Sequence, residues 1–285
     1  MSKLVWTTDL HLDHAPSEMQ ERWLGVIASQ PMDGLLIGGD IAESGQAIVW
    51  LERLVHQVHV PIYFVLGNHD FYDGTIRHTR QEIVRLCRKH EQLHYLTDCS
   101  PIELPQSSNL AEDSFYLVGE DAWGDATKGD FDNSFVKLSD FSRIRDFATL
   151  TSSQQKSELQ SLGSHSAKRL SEKLESLPAE TRNILVLTHV PPFVESCWYK
   201  GQTADKHWSP FFVCGQTGEV LERFASEYPE RQIVVLCGHS HHAGSTRLST
   251  NLVVHTGNAE VGDPSFVGTL EIKHAKIELD RLDPI

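Results

Sequence analysis

The chain has 285 residues, 40% of them hydrophobic and 22% charged, a make-up that allows a sizeable core and a single α/β domain over 1–285. A formal net charge of -14 speaks against nucleic acid as a partner, whose footprint is usually a basic face. It leaves a small phosphoester substrate open, because bound cations would reverse the sign locally. Five cysteines without CxxC spacing exclude a disulfide framework. No apolar run reaches the length of about 18 residues that a membrane span needs. With no signal-peptide core ahead of the first strand, a cytoplasmic protein is expected.

Leu4 to Thr8 predicts a first strand. Ser17-Glu18-Met19-Gln20 has the form of a capping box ahead of a helix carrying Trp23, Leu24 and Ile27. Gly34 to Gly38 predicts a short buried strand, Ala47 to Val58 a helix, Val60 to Leu66 a third strand, and Thr75 to His90 an amphipathic helix. That alternation implies βαβ units and a parallel sheet. Phe115 to Gly119 reads as one further strand, and an irregular insert is expected at about 120–150. A polar helix is expected from Ser152 to Leu177, with Ser152-Ser153-Gln154-Gln155 as a second capping box. Strands follow at Asn183–Thr188, Gln232–Cys237, Ser245–Leu248, Leu252–His255, Phe266–Ile272 and Lys276–Leu282. Their short spacing near the C-terminus points to an antiparallel portion.

Five of these strands end in metal-donor side chains. The first runs into Asp9-Leu10-His11, the second into Gly39-Asp40, and the third into Gly67-Asn68-His69-Asp70. Two later ones run into His189 and Gly238-His239-Ser240-His241. Open α/β sheets build their sites at this carboxyl edge. Carboxylate, amide and imidazole donors meeting there suit Mn, Fe, Zn and similar divalent ions. Glycines ahead of Asp40, Asn68 and His239 permit sharp turns and close approach. Alone, Asp40 would read as a turn residue and His189 as a core histidine. The ordered set carries the inference.

The set resembles the calcineurin-like metallophosphoesterase superfamily, and the resemblance runs from the N-terminus to beyond residue 240. It implies an α/β fold, a mixed β-sandwich flanked by helices in four αββα layers. It also implies two divalent metal ions per chain, manganese first, with Fe, Zn, Ni or Co as alternatives. Asp9, His11, Asp40 and His241 would hold one ion; Asp40, Asn68, His189 and His239 would hold the other, with Asp40 bridging. Two cations about 3.5–4 Å apart clamp the attacking and leaving oxygens of an in-line displacement, and a hydroxide bridging them is the expected nucleophile. His69 would stand beside them, stabilise the transferring phosphoryl group and protonate the leaving oxygen. Asp70 would orient the His69 imidazole.

Phosphoprotein phosphatases of the superfamily carry an Asp-Arg-Gly after the second motif and an Arg-Gly before the third. Here Gly39-Asp40 is followed by Ile41-Ala42-Glu43-Ser44 and Leu66 precedes Gly67, so both arginine elements are absent, a pattern nearer the bacterial cyclic-nucleotide-phosphodiesterase-like branch. The expected activity is hydrolysis of a small phosphodiester. Phosphomonoesterase action on a small metabolite or phosphopeptide is the alternative, and a non-catalytic metal-site scaffold is the alternative of another class. Two segments are expected to shape the pocket. Asp121 to Asp125 leads to Lys137, Arg143 and Arg145, where an arginine could grip a phosphate or a basic face could simply be solvated. Trp198-Tyr199-Lys200 and His207-Trp208 could stack on a base or aryl group or pack a long loop. His14 and His242 lie near enough in sequence to reach the site, although a loop role and an exposed role are the simpler readings.

Overall fold

Residues of β1 (Ser2–Thr7), β2 (Gly34–Ile37) and β3 (Ile62–Phe64) are buried almost without exception, as in a parallel sheet covered on both faces. The computed structural model describes residues 2–43, 45–104, 114–273 and 276–281. Helices α1 (Ser17–Ser29), α2 (Gly45–Gln57) and α3 (Ile76–Lys89) connect these strands and lead into β4 (Leu93–Tyr95). On the other side of β1, β13 (Gly268–Lys273) and β14 (Lys276–Arg281) add as antiparallel strands, giving the order β14-β13-β1-β2-β3-β4.

A second sheet takes β5 (Ile102–Leu104), β6 (Phe115–Glu120), β7 (Asn183–Thr188), β10 (Gln232–Cys237), β11 (Gly244–Arg247) and β12 (Leu252–Thr256). Its order is β11-β12-β10-β7-β6-β5, with the inner four strands parallel and both edge strands antiparallel. A two-stranded hairpin, β8 (Trp198–Tyr199) with β9 (Gln202–Thr203), stands apart. Helices α4 (Asp140–Arg143) and α6 (Ser209–Phe212) are single turns, whereas α5 (Ser152–Glu175) and α7 (Gly215–Glu227) are long.

The period-2 alternation of strand side chains divides the apolar residues among three layers. Leu4, Trp6 and Leu36 point between the sheets, where they meet Leu117, Leu185, Leu187 and Leu236. Val5, Leu35 and Ile37 point the other way, into a core with Trp23, Leu51 and Ile83 of α1, α2 and α3. Ile184, Val186 and Val235 face Leu170 and Leu174 of α5 and Leu221 and Phe224 of α7. The architecture is therefore a mixed α/β sandwich of four layers.

Several local expectations are corrected. The box at Ser17 does not form: Pro16 occupies the N-cap, and Gln20 Nε2 reaches back to the carbonyls of Leu12 and Ala15 at 2.7 and 2.9 Å. The second box lies one residue earlier than expected, between Thr151 and Gln154. β4 and β5 were not anticipated, because three residues are too few to show a period. α7 was missed too; Gly215 and Gly218 weaken its helical signal, and Gly218 is there because a side chain would strike the Pro192 carbonyl. The insert at 120–150 is irregular apart from α4, yet Trp123, Phe131, Ile144 and Phe147 embed it in the core beneath α1, α2 and α3. Leu282, expected to end the last strand, lies outside the described residues. Among those described, no helix is long and apolar enough to cross a membrane.

Candidate metal centre

Strand register brings the motif loops side by side. Thr7 pairs with Ile37 and Ile37 with Phe64, so Asp9, Asp40 and Asn68 leave the first sheet at one level. Leu187 pairs with Leu236, which does the same for His189 and His239 in the second. Backbone hydrogen bonds then tie loop to loop: Asp9 N–H donates to Gly39 O (3.0 Å), His11 N–H to Asp40 O (3.0 Å) and Gly238 N–H to His189 O (2.9 Å). A side chain at Gly67 would overlap Asp40, and one at Gly238 would overlap Asp9 and Thr8. Five donor residues adopt left-handed backbone, with φ of 51° at Asp9, 40° at His11, 48° at Asp40, 67° at His239 and 58° at His241. Each such residue costs about 1–2 kcal/mol, a strain that surrounding structure must sustain and that gathers at functional sites.

The seven side chains expected as ligands converge. Asp40 Oδ2 lies 3.7 Å from His11 Nε2 and 3.5 Å from His189 Nε2, between two groups. On one side His11 Nε2 and His241 Nε2 face each other at 3.3 Å, with Asp9 Oδ1 3.5 Å from His241 Nε2. On the other, His189 Nε2 is 3.1 Å from His239 Nδ1 and 3.3 Å from Asn68 Oδ1. Donor atoms of Asp9, His11, Asp40 and His241 all lie within 4.8 Å of one another, as do those of Asp40, His189 and His239.

The protons sit on the far side of the rings. His189 Nδ1 donates to Gly38 O (2.8 Å) and His239 Nε2 to Phe211 O (3.2 Å), so the facing nitrogens present lone pairs to each other. Lone pairs held 3.1 Å apart repel unless a cation lies between them. This donor set, hard carboxylate and amide oxygens with borderline imidazoles, fits divalent first-row ions.

Electrostatics among these side chains follow from burial and crowding. Burial pushes the His11 imidazole down to about 3 and that of His69 to about 4, and holds His239 well below its usual value. Burial acts the same way on His241, but the hydrogen bond and charge of Asp9 outweigh it and raise that imidazole. Asp40 is raised, by burial first and then by the neighbouring Asp9 carboxylate. For Asp9 burial is outweighed by the hydrogen bond and charge of His241 and by the other imidazoles, and its carboxyl is held well below the usual range.

His69 stands at the mouth, its ring 4.6 Å from that of His11 and 4.4 Å from that of Tyr72. Asp70 does not orient it. Asp70 Oδ1 accepts from the backbone N–H groups of Ile41 (2.9 Å) and Ala42 (3.1 Å), and Oδ2 from Gly67 N–H (2.8 Å). Asp70 therefore braces the Asp40 loop against the Asn68 loop. Asp140, which sequence reasoning missed, accepts from Asn68 Nδ2 at 2.9 Å and from Tyr72 Oη at 2.7 Å. No local signal marks it.

The pocket-shaping segments divide. Asp121 is fully buried, holding Leu66 N–H, Thr97, Tyr95 and Arg80, so it is a strut between the sheets. Arg143 gives its fork to Glu43, with a third bond to Asp73, while the Arg145 side chain is exposed. The aromatic segment does reach the centre: Phe212 packs 4.4 Å from His239, half-exposed Trp208 packs 5.5 Å from Phe212, and Tyr199 meets His242 at 4.7 Å.

The profile of a family described as calcineurin-like phosphoesterase matches residues 2–243. Three solved structures share the fold. A phosphopantetheinyl hydrolase from Mycobacterium tuberculosis is 14% identical with a TM-score of 0.66, the match covering 91% of this chain and 90% of that one. The protein TT1561 from Thermus thermophilus is 13% identical, TM-score 0.55, with 98% of each chain covered. A dimetal phosphatase from Danio rerio is 14% identical, TM-score 0.52, covering 95% of this chain and 92% of that one. No curated protein matches the sequence.

Proposed function

The chain belongs to the calcineurin-like phosphoesterase family, dinuclear metal-dependent phosphoric ester hydrolases, and from that premise we propose that it hydrolyses small phosphodiesters. The observation that carries the reading is Asp40 Oδ2, set between His11 on one side and His189 on the other. Asp9, His11, Asp40 and His241 would hold one divalent cation, and Asp40, Asn68, His189 and His239 a second, manganese being the first choice. Such a pair would supply an activated water and neutralise charge on the phosphoryl oxygens.

The chain's own groups do the rest. Phe211 O and Gly38 O accept from the outer ring nitrogens of His239 and His189, which orients both rings and turns their other nitrogens inward. His69, beside His11, donates an N–H to the phosphoryl or leaving oxygen. Burial keeps it neutral in the free protein, so acid catalysis requires the incoming negative phosphoryl group to draw a proton onto the ring.

Two observations support a diester over a monoester. The phosphatase arginines are absent, since Gly39-Asp40 is followed by Ile41-Ala42-Glu43-Ser44 and Gly67 is preceded by Leu66, and Arg143 is committed to Glu43 and Asp73. A monoester's extra negative oxygen thus lacks an arginine partner at these positions, whereas a diester carries one charge fewer. The Trp208–Phe212 shelf beside His239 suits a planar base or aryl substituent. Five free thiols accord with a reducing, cytoplasmic setting.

The test is metal analysis followed by parallel assays on p-nitrophenyl phosphate and its bis-ester. Faster turnover of the bis-ester is expected, and preference for the monoester would move the assignment to phosphomonoesterase. Negligible turnover of both with Mn, Fe, Zn and Ni would sink the enzymatic reading.

A further inference from the structure

The first three strand-end loops each carry a second donor, one step outward from the proposed metal pair. His14 follows His11, Glu43 follows Asp40, and His69 follows Asn68. One ligand atom from each of His14, Glu43 and His69 lies within 4.8 Å of the others. His14 Nε2 is 3.2 Å from Glu43 Oε1 and 3.7 Å from Asp13 Oδ2. Two polar atoms around this cluster are enclosed without hydrogen-bond partners, His69 Nδ1 and Asp13 Oδ1. Two imidazoles and a carboxylate, with a second carboxylate alongside, make a donor set for a borderline divalent ion.

We propose that His14, Glu43 and His69 form a third, weaker metal site at the mouth, and that filling it inhibits the enzyme by withdrawing His69 from the substrate. The inhibitory half rests on the role proposed for His69; the binding half does not. Weakness follows from Arg143, whose guanidinium binds both Glu43 oxygens and must be displaced or shared before a cation can approach. Among the described residues no Arg or Lys side chain pairs with Asp9 or Asp40, whose ion-pair partners are histidines, so the inner pair fills first. Zinc, which accepts two imidazoles and a carboxylate in tetrahedral geometry, is the natural probe.

The experiment titrates zinc into the protein already holding two equivalents of metal, with bound metal counted by equilibrium dialysis and bis-ester hydrolysis followed in parallel. Wild-type protein should take up a third equivalent, with turnover falling as it binds. His14→Ala should keep the two-metal rate, weaken third-equivalent binding by about 10- to 100-fold and lose the inhibition in step. Arg143→Met should act in the opposite direction, tightening the third equivalent because the competing cation is gone, a response that a merely structural role for these residues would not produce. Saturation at two equivalents in both wild type and Arg143→Met would overturn the site, as would a third equivalent undiminished in His14→Ala. A third equivalent that binds through His14 yet leaves turnover untouched would overturn the inhibitory half. Failure of the hydrolase assignment would show separately, as no turnover at two equivalents, while dialysis would still decide whether the third site exists.

Discussion

Asp140 accepts a hydrogen bond from the Asn68 side-chain amide at 2.9 Å, and this contact decides which end of Asn68 faces the cluster. With Nδ2 engaged, Oδ1 is left 3.3 Å from His189 Nε2, an acceptor aimed where a cation would sit. Asp140→Ala frees the amide to rotate. Affinity on the His189–His239 side should fall about 10- to 100-fold with the Asp9–His241 side less affected. Metal dialysis checks this; equal affinity on both sides would show that Asn68 is oriented by something else.

Asp40→Asn should remove nearly all turnover, on the order of 10³-fold, because one carboxylate faces both donor groups. Occupancy of both metals should weaken together. Unchanged metal stoichiometry in the variant would contradict a bridging position.

His69→Asn should keep both inner metals, since its ring lies outside those two donor groups. The rate should drop about 10²- to 10⁴-fold, most steeply for esters with poor leaving groups. A uniform loss across a leaving-group series would remove the acid role and leave only phosphoryl stabilisation.

Asp70→Ala strips acceptors from three backbone N–H groups in a fully buried position. A loss of about 3 kcal/mol is expected, read as a shift of the denaturant midpoint. The leaving-group dependence of the remaining activity should match wild type. If it instead resembles that of His69→Asn, Asp70 acts on His69 after all.

Metal loading should release protons near neutral pH. His241 is raised by Asp9 against the effect of burial, so a cation must displace its proton, and burial and the Asp9 charge make the Asp40 carboxyl hold its own proton to higher pH than usual. As pH falls, more of each is protonated and affinity declines. His11, pushed down to about 3 by burial, adds no such competition in that range. Calorimetry in two buffers of different ionisation heat would measure the release; affinity constant between about pH 6 and pH 8 would contradict it.

Much of the fold could be read from short-range pattern. Leu4 to Thr8, Gly34 to Gly38 and Asn183 to Thr188 are apolar because both their faces are covered, and that shows within a few residues. Which sheet each strand joins is not visible there: β12 and β13 follow one another in the chain yet lie in opposite sheets. Strand composition records burial, while sheet membership depends on which distant backbone offers hydrogen bonds.

The site divides along the same line. Asp9, His11, Asp40, Asn68, His189, His239 and His241 were legible as donors because each follows one of five strands within a few residues, and strand ends share one edge. The groups that aim those donors were not. Asp140 lies 72 residues from Asn68, and the acceptors for His189 and His239 are backbone carbonyls of Gly38 and Phe211 that any residue could supply. Asp70 was read as the partner of its sequence neighbour His69, but its carboxylate is enclosed by the N–H groups of Ile41, Ala42 and Gly67. Donor chemistry is carried by the side chain itself and survives in the bare sequence. Orientation is set by hydrogen bonds across the sandwich, between segments whose meeting only tertiary packing decides.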